Sequence, residues 1–123
     1  MLNLENPHEY YGQIDNYVMG HSELLVWIRH MTLPGFYLNF RHVLGFSGMV
    51  RWAGAALRIG SDEEFLQFVH QIAPQLEKSD TELLNQDYYG RLYIFEGKSG
   101  VAAFQLIATD YHTVEHLQQK SPP

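Results

Sequence analysis

Two strand-forming segments joined by a proline-glycine pair limit the fold more than any other part of this chain. Residues 24–31 and 36–44 are rich in β-branched, aromatic and long apolar side chains, and Pro34 and Gly35 lie between them. Such segments on either side of turn residues are typical of a β-hairpin. The φ angle that proline fixes and the positive φ that glycine accepts both suit a turn. The sequence therefore predicts an antiparallel hairpin here.

The length of the loop decides which side chains of this hairpin share a face. Because side chains alternate between the two sides of a strand, an even-length loop such as 32–35 pairs odd positions before the turn with even positions after it. One largely apolar face would then carry Leu25, Trp27, Arg29, Met31, Phe36, Leu38, Phe40, His42 and Leu44. The opposite face would carry Leu24, Val26, Ile28, His30, Thr32, Tyr37, Asn39, Arg41 and Val43. A three-residue loop would break this assignment.

Arg29 and His42 are the ionisable side chains on that predicted apolar face. They would lie on neighbouring strands, close enough to bind one anionic ligand. A buried arginine is costly unless it is paired, so two interpretations follow. Both residues line a pocket for an anion, or both lie near an open sheet margin, where Arg29 reaches solvent or pairs with an acid such as Glu96. Arg29 and His42 are our predicted ligand-binding residues.

The composition excludes several classes of partner. The chain has the size of one domain, spanning 1–123. Its formal net charge is −6 with eight Lys and Arg, whereas binding to nucleic acid or an anionic membrane needs a basic surface. We therefore expect no nucleic acid and no membrane as partner. Eight tyrosines and seven phenylalanines favour β structure and aromatic binding surfaces instead.

The absence of cysteine excludes disulfides, thiol nucleophiles and thiolate metal ligands. The first residues are polar and lack a basic-then-apolar leader, so we expect no secretory signal. The apolar run at 24–28 is far too short to cross a membrane. No dinucleotide fingerprint or calcium loop is present, so we expect no cofactor. These features predict a cytoplasmic protein.

The clearest helix signal begins at Ser61, which forms a capping box with Glu64. The apolar residues that follow at helical spacing are Phe65, Phe68, Val69, Ile72 and Leu76. Pro74 ends or kinks this helix. A second capping box predicts a short helix over 79–86.

Three shorter elements are predicted before this helix. Asn6 and Pro7 have the character of a cap and a first helical residue, which predicts a short helix over 7–13. Residues 14–19 form a predicted first strand. Residues 47–59 form a predicted single strand, in which Gly54 marks a bulge or a point where another backbone approaches closely.

A second hairpin completes the predicted fold. Residues 88–96 and 101–110 flank a glycine-bounded turn, and both faces are largely apolar. We therefore expect this hairpin to be central in the sheet or to meet another subunit. The segments together predict an α+β domain, an antiparallel sheet of about five or six strands with one main helix packed on one face. We expect the C-terminal tail from about residue 111 to be poorly ordered.

His112 and His116 belong to the sequence H-x-x-E-H. On a helix, these histidines would lie one turn apart and could bind zinc, with Glu115 as a base. A peptidase of this type needs a third ligand, and no acidic residue follows His116. Metal binding through these two histidines is therefore an alternative function, and no metal ligand is assigned.

No motif in the sequence forms a complete catalytic set. We therefore predict a small, soluble, non-catalytic binding or protein-interaction module that self-associates. The first alternative is a small-molecule enzyme, in which Arg29 holds an anionic group and His42 acts as acid or base. The second is the metal-binding protein described above. A fold of this class does not specify function by itself.

Overall fold

Nine strands and one α-helix make up most of the described residues. The structure is a computed structural model, and it describes residues 2, 4–18, 20, 22–75, 86, 90–97 and 99–115. After a 3₁₀ helix at Pro7–Glu9, the elements are β1 Tyr10–Val18, β2 Glu23–His30, β3 Phe36–Arg41, β4 Gly45–Gly48, β5 Arg51–Ala53, β6 Ala56–Ile59, α1 Asp62–Ile72, β7 Arg91–Glu96, β8 Ala102–Ala108 and β9 Asp110–Val114.

The strands form two antiparallel sheets. The five-stranded sheet has the order β5-β1-β2-β3-β9, and the four-stranded sheet has the order β4-β8-β7-β6. Every paired strand runs antiparallel to its neighbour. The predicted α+β fold with an antiparallel sheet and one main helix is therefore confirmed. The strands are divided between two sheets, however, whereas the sequence predicted one sheet of about five or six.

The four-stranded sheet is the middle layer of the molecule. One of its faces packs on the five-stranded sheet, in a core that includes Leu24, Val26, Leu38, Phe40, Phe95 and Phe104. On its other face, Leu92, Ile94 and Ile107 pack with α1. The hairpin of β7 and β8 is thus buried on both faces, which confirms the prediction that it is central.

The helix α1 begins where its capping box predicts. The Ser61 hydroxyl accepts a hydrogen bond from the backbone N–H of Glu64 at 3.1 Å, and the Glu64 carboxylate accepts one from the N–H of Ser61 at 2.9 Å. Phe65, Phe68 and Val69 are buried against the four-stranded sheet. The helix ends at Ile72, shortly before the proline that cannot continue it.

The pairing of β2 with β3 differs from the predicted register. Leu24 lies opposite Phe40 and Ile28 lies opposite Phe36, so even positions pair with even positions. Ile28 and Phe36 are the paired residues nearest the turn, and the number of residues between them is odd. The prediction assumed an even number. The predicted faces are therefore wrong, and Arg29 lies on the side of β2 opposite to the core.

The predicted single strand over 47–59 is also wrong. The chain forms β4, β5 and β6 there, and β5 belongs to the five-stranded sheet while the other two belong to the four-stranded sheet. Gly54 adopts φ +95° just after β5, a conformation that favours glycine. Its N–H donates to the Tyr10 carbonyl at 2.7 Å, and the Ala55 N–H donates to the Pro7 carbonyl at 2.9 Å. The predicted close approach of another backbone is confirmed.

The predicted helix over 7–13 is limited to the 3₁₀ turn Pro7–Glu9. Asn6 has φ 50°, and its side chain forms no capping hydrogen bond. A helix that starts there would lack the N-terminal stabilisation that a cap provides. The chain enters β1 at Tyr10 instead, earlier than the predicted start of the first strand.

Several predictions concern the C-terminal third of the chain. The second helix over 79–86 lies outside the described residues except for Gln86, and so does Leu76. Where the tail was expected to begin, residues 110–114 form β9, which pairs with β3. Residues from 116 onward lie outside the described part. Within the described part, no helix has the length and apolar character needed to span a bilayer.

Candidate functional site

The candidate site lies on the side of the five-stranded sheet that faces away from the four-stranded sheet. We call this surface the outer face. The register of the strands places the following side chains at its centre: Tyr11, Gln13, Glu23, Leu25, Trp27, Arg29, Tyr37, Asn39 and Arg51. All of these side chains are exposed or partly exposed. The outer face is thus open to a ligand or partner.

The sequence of β2 explains why these side chains face outward. Leu24, Val26 and Ile28 are 0% exposed and belong to the core. The residues between them are partly exposed, and this second set begins with Glu23 and ends with Arg29. Burying unpaired charges is costly, so the apolar set takes the core side and the charged set takes the outer face.

Trp27 lies at the centre of the outer face. Its ring stacks on that of Tyr37, with centroids 6.1 Å apart and planes inclined by 15°. The Cζ atom of Arg29 lies 5.3 Å from the centroid of the Trp27 ring, a distance at which a guanidinium is attracted to the negative face of the ring. We call these three residues the Trp27 cluster. It holds a cation and two aromatic rings in defined positions on a partly exposed surface.

Arg29 forms no ion pair with any carboxylate in the described part of the chain. Glu96, the partner suggested from the sequence, accepts a hydrogen bond from Arg58 at 3.1 Å instead. Arg58 also donates two hydrogen bonds to Glu64, at 2.9 and 2.7 Å. The positive charge of Arg29 is therefore directed to the surface and is available for an intermolecular contact.

Charges of opposite sign lie toward opposite ends of the outer face. Arg29 is at the end of β2 that leads into the turn, and Arg51 lies in the same half of the sheet. Glu23 is at the other end of β2. Asp15 lies between the two ends, at the point where the register of β1 is irregular, beside the Asn16–Leu25 pair. The outer face therefore has a basic end at Arg29 and an acidic end at Glu23.

A compensated ion pair lies beside the acidic end. Arg41 donates two hydrogen bonds to Asp110, at 2.8 and 2.6 Å. These hydrogen bonds hold the pKa of the Asp110 carboxyl below its ordinary value, although burial opposes them. Because the charges of Arg41 and Asp110 cancel each other, the acidic character of this end comes from Glu23.

The structure does not bring Arg29 and His42 together. Arg29 follows Ile28 at one end of the β2–β3 pairing, whereas His42 lies beyond Phe40 at the other end. At about 3.3 Å per residue, the two backbone positions are roughly 20 Å apart. His42 is exposed, has φ 53°, and lies close enough to Asp110 to contribute to its lowered pKa. Of the two predicted site residues, Arg29 lies in the candidate site and His42 does not.

The proposed pair of metal ligands is described only in part. His112 lies on β9, and the residues His112 to Val114 are strand, whereas the metal hypothesis required a helix. His116 lies outside the described residues. Among the described residues, no group of three or more His, Asp or Glu side chains is arranged to hold a metal ion.

Sequence reasoning identified Arg29 but missed its relation to Trp27 and Tyr37. The predicted register places Trp27 on the largely apolar face and Tyr37 on the opposite one, whereas the two rings share the outer face. The missed signal is the alternate set that begins with Glu23 and ends with Arg29. A set with a charge at each end belongs on the solvent side of a half-buried strand. Comparisons with protein-family models, with curated proteins and with solved structures found no match.

Proposed function

We propose that this protein is a non-catalytic interaction module that associates with a second copy of itself through the outer face. The observation that carries the proposal is the Trp27 cluster, in which Arg29 lies over Trp27 without a carboxylate partner among the described residues. The lack of cysteine fits action in a reducing compartment such as the cytoplasm.

The chemistry of the outer face favours a protein partner. Trp, Tyr and Arg are enriched at the centres of protein interfaces and among the residues that contribute most binding energy. Trp27 and Tyr37 offer large rings that lose little conformational entropy on binding. Their partial burial by the sheet also fixes them before a partner arrives, which reduces the entropic cost of association.

The charge pattern favours a second copy as that partner. A two-fold axis in the contact plane and perpendicular to the strands places the Arg29 end of one copy against the Glu23 end of the other. Each copy then contributes the same surface, as a two-fold interface requires. The net charge of −6 on each chain opposes association in general, so a locally complementary surface is needed to overcome it.

The size of the surface sets the expected affinity. Five strands spaced about 4.8 Å apart, with about six residues of each in contact, cover about 500 Å² per copy. Two copies would bury about 1,000 Å² in total, the lower end of the range for specific interfaces. We therefore expect a reversible dimer with a dissociation constant in the micromolar range.

Sedimentation velocity across a micromolar concentration series tests this proposal. We expect reversible dimer formation by the wild-type chain, and roughly 30-fold weaker dimer formation by Trp27→Ala, because an interface-centre tryptophan contributes about 2 kcal/mol or more. Met49→Ala is a matched control, since Met49 is an apolar side chain 62% exposed outside the outer face. A wild-type chain that stays monomeric, or equal association by both variants, would refute the proposal.

A further inference from the structure

A cleft of about 510 Å³ is lined by residues of β7 and of β9, the edge strand of the five-stranded sheet. Its polar lining includes Arg91 and Tyr93 of β7 together with Asp110 and His112 of β9, and Leu2 and Ile59 provide apolar lining. This volume falls within the range of pockets that hold small organic ligands. The Trp27 cluster contributes no residue to this lining, whereas Asp110 and His112 belong to β9, the edge strand of the sheet that carries the outer face.

The described part of the cleft carries an excess of positive charge. Arg91 is exposed and forms no ion pair within the described residues. Asp110 is an acidic residue of the lining, but its carboxylate already accepts two hydrogen bonds from Arg41. With Asp110 neutralised by Arg41, the charge of Arg91 remains for a ligand.

Tyr93 supplies a hydrogen-bond donor at the buried side of the cleft. Its side chain is 4% exposed, and its ring is held by edge contacts with Phe40 and Tyr111, each with centroids 5.4 Å apart. Within the described residues, the Tyr93 hydroxyl has no hydrogen-bond partner, although it lines the cleft. The buried side-chain polar atom without a partner in the described structure is Trp52 Nε1 and not the Tyr93 hydroxyl. The hydroxyl therefore reaches the solvent of the cleft, where a ligand can accept its hydrogen bond.

The electrostatic surroundings keep this hydroxyl protonated. Burial raises the pKa of Tyr93, while the neighbouring charge of Arg91 lowers it by less. At neutral pH the phenol is therefore neutral and can donate. The Arg91 guanidinium and the Tyr93 phenol both line the cleft, and together they form a suitable pair of donors for a carboxylate. Hydrogen bonds to a charged acceptor are stronger than those to a neutral acceptor.

We propose that this cleft binds a small organic carboxylate, with the carboxylate on Arg91 and Tyr93 and an apolar body against Leu2 and Ile59. The apolar lining favours an organic anion over inorganic phosphate, because phosphate would leave Leu2 and Ile59 in contact with water or with charge.

Calorimetric titration with three probes tests the ligand class on the wild-type chain. Benzoate has a carboxylate and an apolar ring, benzyl alcohol has the ring without the charge, and inorganic phosphate has the charge without the ring. We expect saturable millimolar or tighter binding of benzoate, and at least fivefold weaker binding of the other two probes. Equal binding of benzyl alcohol would refute the role of charge, and equal binding of phosphate would refute the organic class. Absence of benzoate binding would refute the site.

Variants then locate the bound carboxylate. We expect Arg91→Gln to weaken benzoate binding about tenfold and Tyr93→Phe to weaken it about fivefold, as expected for lost hydrogen bonds to a charged group. Arg91→Lys should lie between Arg91→Gln and the wild type, because it keeps the charge but loses the planar donor fork. Tyr17→Phe is the matched control, since Tyr17 contacts Phe46 and is not in the described lining. Unchanged binding in both Arg91→Gln and Tyr93→Phe would overturn the proposal.

Discussion

At the scale of single residues, Arg58 and Glu64 form the most connected ion pair in the described structure. Two hydrogen bonds join the guanidinium of β6 to the carboxylate at the start of α1, and Glu96 of β7 provides a third. Glu64 also completes the capping box with Ser61. One carboxylate thus stabilises the helix start and ties it to the four-stranded sheet.

The pKa of Glu64 makes this contribution measurable. The hydrogen bonds from Arg58 lower it from its ordinary 4.5 to about 2, so the folded state binds the proton less readily than the unfolded state. The stabilisation is complete above about pH 4.5 and is lost as the pH falls toward 2. We expect Glu64→Gln to lower the free energy of unfolding by about 1 kcal/mol at pH 7, since solvent screens this partly exposed pair.

Chemical denaturation at several pH values between 2 and 7 checks this expectation. The difference between wild type and Glu64→Gln should shrink as the pH falls through that interval. Glu63→Gln is the control, because Glu63 is exposed and forms no ion pair in the described part of the chain. A difference that is constant with pH would contradict the role of the Glu64 charge.

Gly12 is a residue whose replacement should be costly for a purely steric reason. A Cβ atom at this position would overlap the Cε2 atom of Trp52. The indole ring cannot easily move, because it is buried and stacked on Phe104 with centroids 5.0 Å apart. We expect Gly12→Ala to destabilise the fold by about 2–3 kcal/mol, the cost of overpacking a core.

Denaturant unfolding measures this effect against a matched glycine. Among the described residues, a Cβ atom at Gly20 would have no atom within 4 Å, so Gly20→Ala should change the free energy of unfolding by less than about 0.5 kcal/mol. Equal stability of the two variants would show that the Trp52 ring can shift to make room.

The candidate site illustrates how far single residues can be predicted. Arg29 was identified because an arginine in an apolar strand needs an explanation, and that reasoning depends on residue type alone. The partnership of Arg29 with His42 depended on register, and register depends on the number of residues in the turn. A change of one residue moves every side chain of a strand to the other face, so the prediction placed Tyr37 and Trp27 on opposite faces.

At the scale of secondary-structure elements, β7 and β8 form the centre of the molecule. Side chains on one face of this hairpin contact the five-stranded sheet, and those on the other contact α1. Apolar residues on both faces made this position predictable, because such a strand needs cover on both sides. The start of α1 was predictable for a different reason, since the hydrogen bonds of its capping box join residues three positions apart in the sequence.

Hydrogen exchange should reflect this central position. We expect the backbone amides of residues 92–95 and 104–107 to exchange most slowly, by global unfolding, because opening this hairpin exposes both parts of the core. The edge strand β5, which has three residues, should exchange by local opening at lower free energy. Native-state hydrogen exchange monitored by NMR at increasing denaturant checks this order. Slower exchange in β5 than in β7 would contradict it.

At the scale of the whole molecule, the division into two sheets was beyond the sequence pattern. The segment 47–59 has continuous strand character, yet it contributes strands to both sheets. Short strands from one segment can belong to different layers when a glycine such as Gly54 redirects the chain between them. Local propensity does not determine which sheet each short strand joins, because that depends on which apolar faces can be buried together.

The polarity of the outer face leads to a prediction about the assembled dimer. If the Arg29 end of one copy meets the Glu23 end of the other, Arg29→Glu and Glu23→Arg each place like charges opposite one another twice in the symmetric contact. We expect each single variant to weaken association about tenfold or more at low salt. The double variant exchanges the two charges, restores complementarity and should associate within about threefold of the wild type.

Sedimentation equilibrium at low and high ionic strength distinguishes this arrangement from its alternatives. Salt should reduce the differences between variants, because it screens charges at the edge of an interface. Glu63→Lys is the control for net charge, since Glu63 lies at the start of α1 and not on the outer face. If the double variant associates as weakly as the single variants, the two copies do not meet with opposite ends together. A contact between equal ends would instead leave a like-charged pair in place in every variant, so neither Arg29→Glu nor Glu23→Arg would show the expected loss of association.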